Sequence, residues 1–392
     1  MPKPSESTFF NAPFWGRGFR PFFFLGTVYS LISILLWAAF YSGHFSPPSF
    51  LLDPVSWHAH EMIYGFTMAI VAGFLLTAVA NWPGGAPARQ IHLAGLCMLW
   101  LAGRLVLNFD LGLPHFMVVL AGVAFIPALA VSLAIPLLRS WNKRNFIFLT
   151  LLSVLLGCDL WFLITSNLSA LHVALMMILI MVSLIGGRII PAFTVAALRR
   201  NGIVAYQTDQ LKMDMAALVS LVAVALCLVF AKETLVLALC ATLSCVIHGL
   251  RMRHYHTLKT FDDPLVWILH AGYGWLVIGL GLLALSGLGL FTVSAVIHAL
   301  TAGCIGSMIL GMICRVTLGH TGRELKVGAL TTFSFFAIQL AALMRVFGPI
   351  LTPEYMSEWV IGSALIWCLC FLAYLWLYTP MLFAPRPDGQ VA

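Results

Sequence analysis

Charge is what this sequence has least of. Only 9% of its residues are Asp, Glu, Lys or Arg, against roughly 25% in a soluble domain. A chain so poor in charge cannot cover a water-facing surface, which excludes a soluble globular fold. Carboxylates are scarce too, at 14 in 392 residues. A hard-cation site needs several clustered oxygen ligands, and only Glu61 and Asp159, at similar depth, are available to supply them. None of the nine cysteines falls in a CxxC or CxxCH pattern, so neither a disulfide framework nor covalent haem attachment is indicated. They read as buried thiols acting as small hydrophobes. Long polar linkers are also missing, and residues 1–392 read as a single membrane domain.

What is present is apolar surface: 61% of residues are hydrophobic, with 28 Phe and 12 Trp. About 20 apolar residues span a bilayer. By that measure the chain holds twelve segments, at 21–41, 57–81, 91–108, 114–138, 145–166, 170–197, 213–231, 233–250, 265–286, 290–315, 326–347 and 357–383. The expected fold class is all-α: a polytopic membrane protein, a bundle of about twelve transmembrane helices. Pro47-Pro48, Pro83-Gly84-Gly85, Asn142, Asn201-Gly202 and Pro353 mark short connections. No small-residue cleavage site follows the first apolar run, so that helix reads as retained. Lys and Arg crowd one side of the alternation, from Arg17, Arg20 and Arg89 through Arg139, Arg199, Arg251 and Arg323 to Arg386. Arg104, Lys232 and Arg345 stand alone on the other. The positive-inside rule then puts both termini in the cytoplasm. Topology accounts for the net charge of +7, and no nucleic-acid partner is called for.

Orientation gives depth. Trp57–Asn81 opens with His58, His60 and Glu61 ahead of an uncharged run, near the outer boundary. His172 begins the sixth segment at the same level, His298 lies somewhat deeper in the tenth, and Asp159 shares that half in the fifth. Neutral imidazole is a common transition-metal ligand. The expectation is a metal site formed by His58, His60, His172 and His298, with Glu61 as proton carrier or as partner to a ligating His. On a regular helix Glu61 would share the face of His58, and His60 would point elsewhere. Gly65, Ala69 and Ala72 continue the His58 face as a stripe along which a helix or a flat cofactor can approach. The competing reading makes the two His and Trp57 an interfacial cap. Toward the basic side lie His270, His320 and His248, together with Arg188 (after Gly186-Gly187) and Arg315. These cations could pair propionates, bind an anion or snorkel. A fourfold spacing of His-bearing segments (second, sixth, tenth) hints at a repeat. The PAFT sequence after Arg188 reads as a helix break, and Asp262-Asp263-Pro264 as the start of the ninth helix.

Six blocks carry a resemblance: FRPFFFLG (19–26), WHAHEMIYGF (57–66), GFLLTAVANWPG (73–84), GGRIIPAFT (186–194), HAGYGWLVIGL (270–280) and the long run from His298 to Arg323. Together with length and layout they resemble the NnrS family across essentially the whole chain. That resemblance implies a bacterial inner-membrane protein containing haem and copper and acting in the response to nitric oxide and in denitrification. The matching positions are His58, His60, Glu61, Arg188, His270, His298, Arg315, His320 and Arg323, with His172 on the same helix as a matching block. Ala80 departs from the Pro frequent in the family at that place. The allocation by depth puts haem on His270 with His320 or His248, propionates toward Arg188 or Arg315, and copper in the outer cluster. A metal-free, proton-coupled transporter of a small anion or metal complex is the alternative.

Overall fold

The computed structural model describes residues 9–46, 53–79, 88–232 and 234–390. The Pro47-Pro48 and Pro83-Gly84-Gly85 connections and Ala80 lie outside them. Among the described residues there is no β-strand. Twelve helices among the described residues are long and apolar enough to cross a membrane: α1 Phe19–Tyr41, α2 Pro54–Ala78, α3 Gln90–Asn108, α4 His115–Arg139, α5 Lys143–Thr165, α6 Leu168–Arg200, α7 Leu211–Phe230, α8 Leu235–Met252, α9 Pro264–Gly287, α10 Val293–His320, α11 Ala329–Leu351 and α12 Pro353–Phe383. The all-α, twelve-span reading holds. Side chains such as Leu105, Val219, Leu243, Leu340 and Trp376 are exposed along these helices, as a lipid-facing surface requires.

Local chemistry sets the helix starts. Asp53 accepts from the amides of Val55 and Ser56 at 3.0 and 3.1 Å, with Pro54 in the first turn. Asp263 does the same for Leu265 at 3.1 Å ahead of Pro264, as expected from the sequence. Pro191 does not break α6, which runs unbroken from Leu168 to Arg200. Proline removes one backbone donor, and here the helix continues through it. All nine cysteines are free thiols, buried or partly so.

The contacts sort the chain into two compact units, neither of them one contiguous stretch. The first comprises Met1–Leu171, Ile313–Leu325 and Tyr374–Ala392, and the second His172–Met312 and Lys326–Ala373. In the first, α1 and α2 approach through glycine: Gly26 meets Ala69 and Ile70, Gly73 meets Phe22 and Phe23, and Gly65 faces the Tyr29 ring. The stripe of small residues on α2 therefore seats helix α1. In the second unit, α9 and α10 repeat this register. Gly272 meets Met308, Gly311 meets Ile268 and Leu269, and Gly303 faces the Trp275 ring. Paired positions keep one constant offset along each helix. In both pairs a His precedes a wider turn of π-helix: His60 before Glu61–Thr67, and His298 before Ala299–Ile305. The repeat therefore relates helices 2 and 10 through their partners 1 and 9, and close packing through small residues carries it.

Candidate functional site

A single turn of π-helix inside an α-helix is rare and is enriched at functional sites. In α2 it frees carbonyls that side chains then satisfy: Thr67 Oγ1 donates to the Met62 carbonyl at 2.7 Å, and Trp100 Nε1 to that of Gly65 at 3.0 Å. Widening begins at Glu61, and the side chains of His60 and Glu61 meet. On a regular helix adjacent residues do not face each other. His60 Nδ1 lies 2.9 Å from Glu61 Oε1, and its Nε2 lies 2.9 Å from Asp159 Oδ1 on α5. The expected grouping of Glu61 with His58 is thereby corrected. His58 instead stacks on Trp37 of α1, with ring centroids 4.2 Å apart.

Glu61 is the hub of a buried network. Arg104 Nη1 from α3 donates to both carboxylate oxygens at 2.8 Å. Tyr29 donates its hydroxyl to Oε2. Asn108 reaches the same oxygen at 3.4 Å, bonds the Tyr29 hydroxyl at 3.1 Å, and accepts from Trp57 Nε1 at 2.8 Å. His60 and Glu61 have no solvent exposure, and Asp159 and Arg104 have almost none. The His60 ring lies flat against Phe162.

Hydrogen-bond bookkeeping fixes the charge. An ionised carboxylate only accepts, and both imidazole nitrogens face one. Two hydrogens are therefore needed where a neutral ring offers one. Either His60 is an imidazolium or one carboxyl carries the extra proton. With Arg104 included, the group sums to zero charge, which is what burial away from water demands. One proton beyond a neutral imidazole and two carboxylates is therefore held among His60, Glu61 and Asp159.

A second buried network lies in the other unit. Arg251, at the end of α8, donates from Nε to Asp214 at 2.8 Å, and from Nη1 to the Tyr273 hydroxyl at 2.8 Å and to Ser183 Oγ and carbonyl at 3.0 Å. Tyr273 in turn meets His248 Nδ1 at 2.8 Å. The guanidinium occupies the place where Gly187 has no side chain. His270 is held on both nitrogens, by Thr194 Oγ1 at 2.8 Å and Thr257 Oγ1 at 3.0 Å. Thr194 already donates to the Ile190 carbonyl, so it accepts from His270 Nε2–H, and Nδ1 accepts from Thr257. His320 lies at the end of α10 with its ring 5.7 Å from that of Phe19. Arg188 is half-buried and Arg315 buried.

The structure thus brings His60 together with Glu61 and Asp159. His58 belongs to the same unit, while His172 and His298 belong to the other. His298 Nδ1 faces the Ser294 carbonyl at 3.2 Å. Among the described residues, no three His, Cys, Asp or Glu side chains are grouped to hold one ion. Sequence reasoning missed Arg104, Tyr29, Asn108 and Arg251. Arg104 did carry a signal, as a lone arginine opposite the basic side.

These features define a polytopic membrane protein that buries a proton-bearing ion network among its helices. The chain belongs to the NnrS family: residues 13–386 match the family described as NnrS protein. No curated protein sequence matches it.

Proposed function

We propose that this chain is a haem- and copper-binding protein of the bacterial inner membrane, with both termini cytoplasmic, that handles nitric oxide or a related small molecule under nitrosative stress. The observation that carries this reading is the family match over nearly the whole chain. The residues fit the two groups unequally. His248 suits an axial haem ligand, because its Nε2 is buried beside Ala217 without a hydrogen bond of good geometry, while Tyr273 orients the ring from the other nitrogen. His270 suits one less, since threonines hold both its nitrogens. Copper has no grouped donors among the described residues, and no ligand is assigned to it.

Haem, when bound, would supply an iron that takes a diatomic ligand. The chain itself supplies a proton. His60 holds it between Glu61 Oε1 and Asp159 Oδ1, and Arg104 and Tyr29 keep the Glu61 carboxylate in place. Phe162 and the apolar surroundings exclude water from the ring. On this reading Glu61 shares that proton with His60 as its hydrogen-bond partner, and neither residue is assigned to a metal.

The purified full-length protein should show a Soret band and bound copper. His248→Ala should lose the band, and His270→Ala should keep it. A wild type with neither band nor copper overturns the proposal. The proton-coupled transporter is a second reading, favoured by the carboxylates at both ring nitrogens of His60. It expects uptake of a small anion such as nitrite into proteoliposomes under a pH gradient, abolished in Glu61→Gln. Gradient-independent uptake, or none, would count against it.

A further inference from the structure

We propose that the basic end of the first unit is a binding site for a phosphate-class oxyanion, centred on Arg20. This residue opens α1 with no solvent exposure. Its Nη1 donates to the carbonyls of Leu382 at 2.7 Å, Ala384 at 2.8 Å and Met381 at 3.4 Å, closing the end of α12. Nε and Nη2 are buried and have no partner. Those two N–H groups form the side-on edge of the guanidinium, the fork that takes two oxygens of one anion.

The surroundings add cations rather than a counter-charge. Arg17, Arg323 and Arg386 all act on Arg20, and Arg17 in turn feels Arg89 and Arg386. All four are half-buried. The Nε atoms of Arg17 and Arg89 are themselves buried and unpartnered. Burial, then Arg89, then Arg386 depress the Arg17 pKa below its usual value. Among the described residues, Asp388 accepts from Arg386 Nε at 2.9 Å, and the exposed Glu324, next to Arg323 in the sequence, has contacts of its own. Among the described residues, five guanidiniums therefore outnumber the carboxylates at one helix end, and like charges half out of water repel strongly. An anion seated between Arg20 and Arg17 would satisfy the open fork and remove that repulsion. Phosphate chemistry has two sources here. One is the headgroup of an anionic lipid, for which basic pockets beside helix ends are suited; the other is free inorganic phosphate.

The test uses delipidated full-length protein in neutral detergent, followed by native mass spectrometry and thermal unfolding. Cardiolipin and phosphatidylglycerol are titrated against phosphatidylcholine, and inorganic phosphate against chloride at equal ionic strength. Wild type should retain one anionic lipid, or be stabilised by phosphate, and which of the two succeeds identifies the source. In Arg17→Gln/Arg89→Gln, which spares the α12 carbonyls, affinity should fall roughly tenfold or more, the loss expected when charge-assisted hydrogen bonds to an anion are removed. Arg20→Gln, where it folds, should lose binding. The exposed pair Arg139→Gln/Arg144→Gln is the control for general surface charge. No preference in wild type, or equal losses in the two double variants, would overturn the proposal.

Discussion

Arg104→Ala should be among the most damaging single substitutions in the protein. It removes the cation that bonds both oxygens of Glu61 at 2.8 Å and leaves that carboxylate at zero exposure. Breaking a buried pair by deleting one partner costs about 3–5 kcal/mol, because the remaining charge stays out of water. Tyr29 and Asn108 would still donate to Glu61, but neutral donors cannot replace a unit charge. Removing both charges is a different matter, since swapping a buried ion pair for groups of similar volume is often neutral. Arg104→Met with Glu61→Gln should therefore unfold at a temperature much closer to wild type than Arg104→Ala does. Thermal unfolding in detergent, followed by size-exclusion chromatography, reads this directly. If Arg104→Ala proves no worse than Arg144→Ala, an exposed arginine, the hub assigned to Glu61 is wrong.

The fold was largely legible because membrane physics reads length and hydropathy, and those are one-dimensional. Twelve apolar runs became twelve helices, with ends within a few residues wherever capping chemistry was visible, as at Asp263-Pro264. The site was legible in part. Glu61, His60 and Asp159 could be found as ionisable groups in apolar segments at similar depth. Their mutual contact could not, because a regular helix turns His60 away from Glu61, whereas the two side chains meet where the π turn begins. Nothing in HEMIYGFT announces that turn. Arg104 was visible as an exception to the charge asymmetry but had no partner in view, since pairing across helices depends on rotation about each axis. The repeat shows the same limit. Spacing of histidines points to helices 2, 6 and 10, whereas the packing register ties 1 and 2 to 9 and 10 through glycines whose partners differ: Ala69, Ile70 and aromatic rings in one pair, Met308, aliphatic chains and an indole in the other.

Gly187→Ala should break the second unit's network, and Gly186→Ala, one residue away, should be mild. A Cβ on Gly187 would collide with the Arg251 guanidinium at Nη1, Nη2 and Cζ, whereas one on Gly186 meets Ile190, Tyr273 and Met308 at 3.4 to 3.6 Å, ordinary contact. Arginine is flexible in general, but Arg251 is fastened by Asp214, both Ser183 oxygens and Tyr273. Moving it strands the Tyr273 hydroxyl and, through it, His248 Nδ1. Asp214 is partly exposed and softens the loss, but leaving the buried partners of the guanidinium unsatisfied costs about 1–3 kcal/mol. The mild variant should cost nothing measurable or gain slightly, since Ala is about 0.5–1 kcal/mol better than Gly within a helix. Conservative rescue sharpens the comparison. Arg251→Lys is slimmer at its end but cannot serve Asp214, Ser183 and Tyr273 together, so it should relieve the clash in Gly187→Ala without restoring full stability. Equal unfolding temperatures for the two glycine variants would show that Arg251 moves aside freely. The glycine pair in GGRIIP would then owe its place to helix packing rather than to the guanidinium it admits.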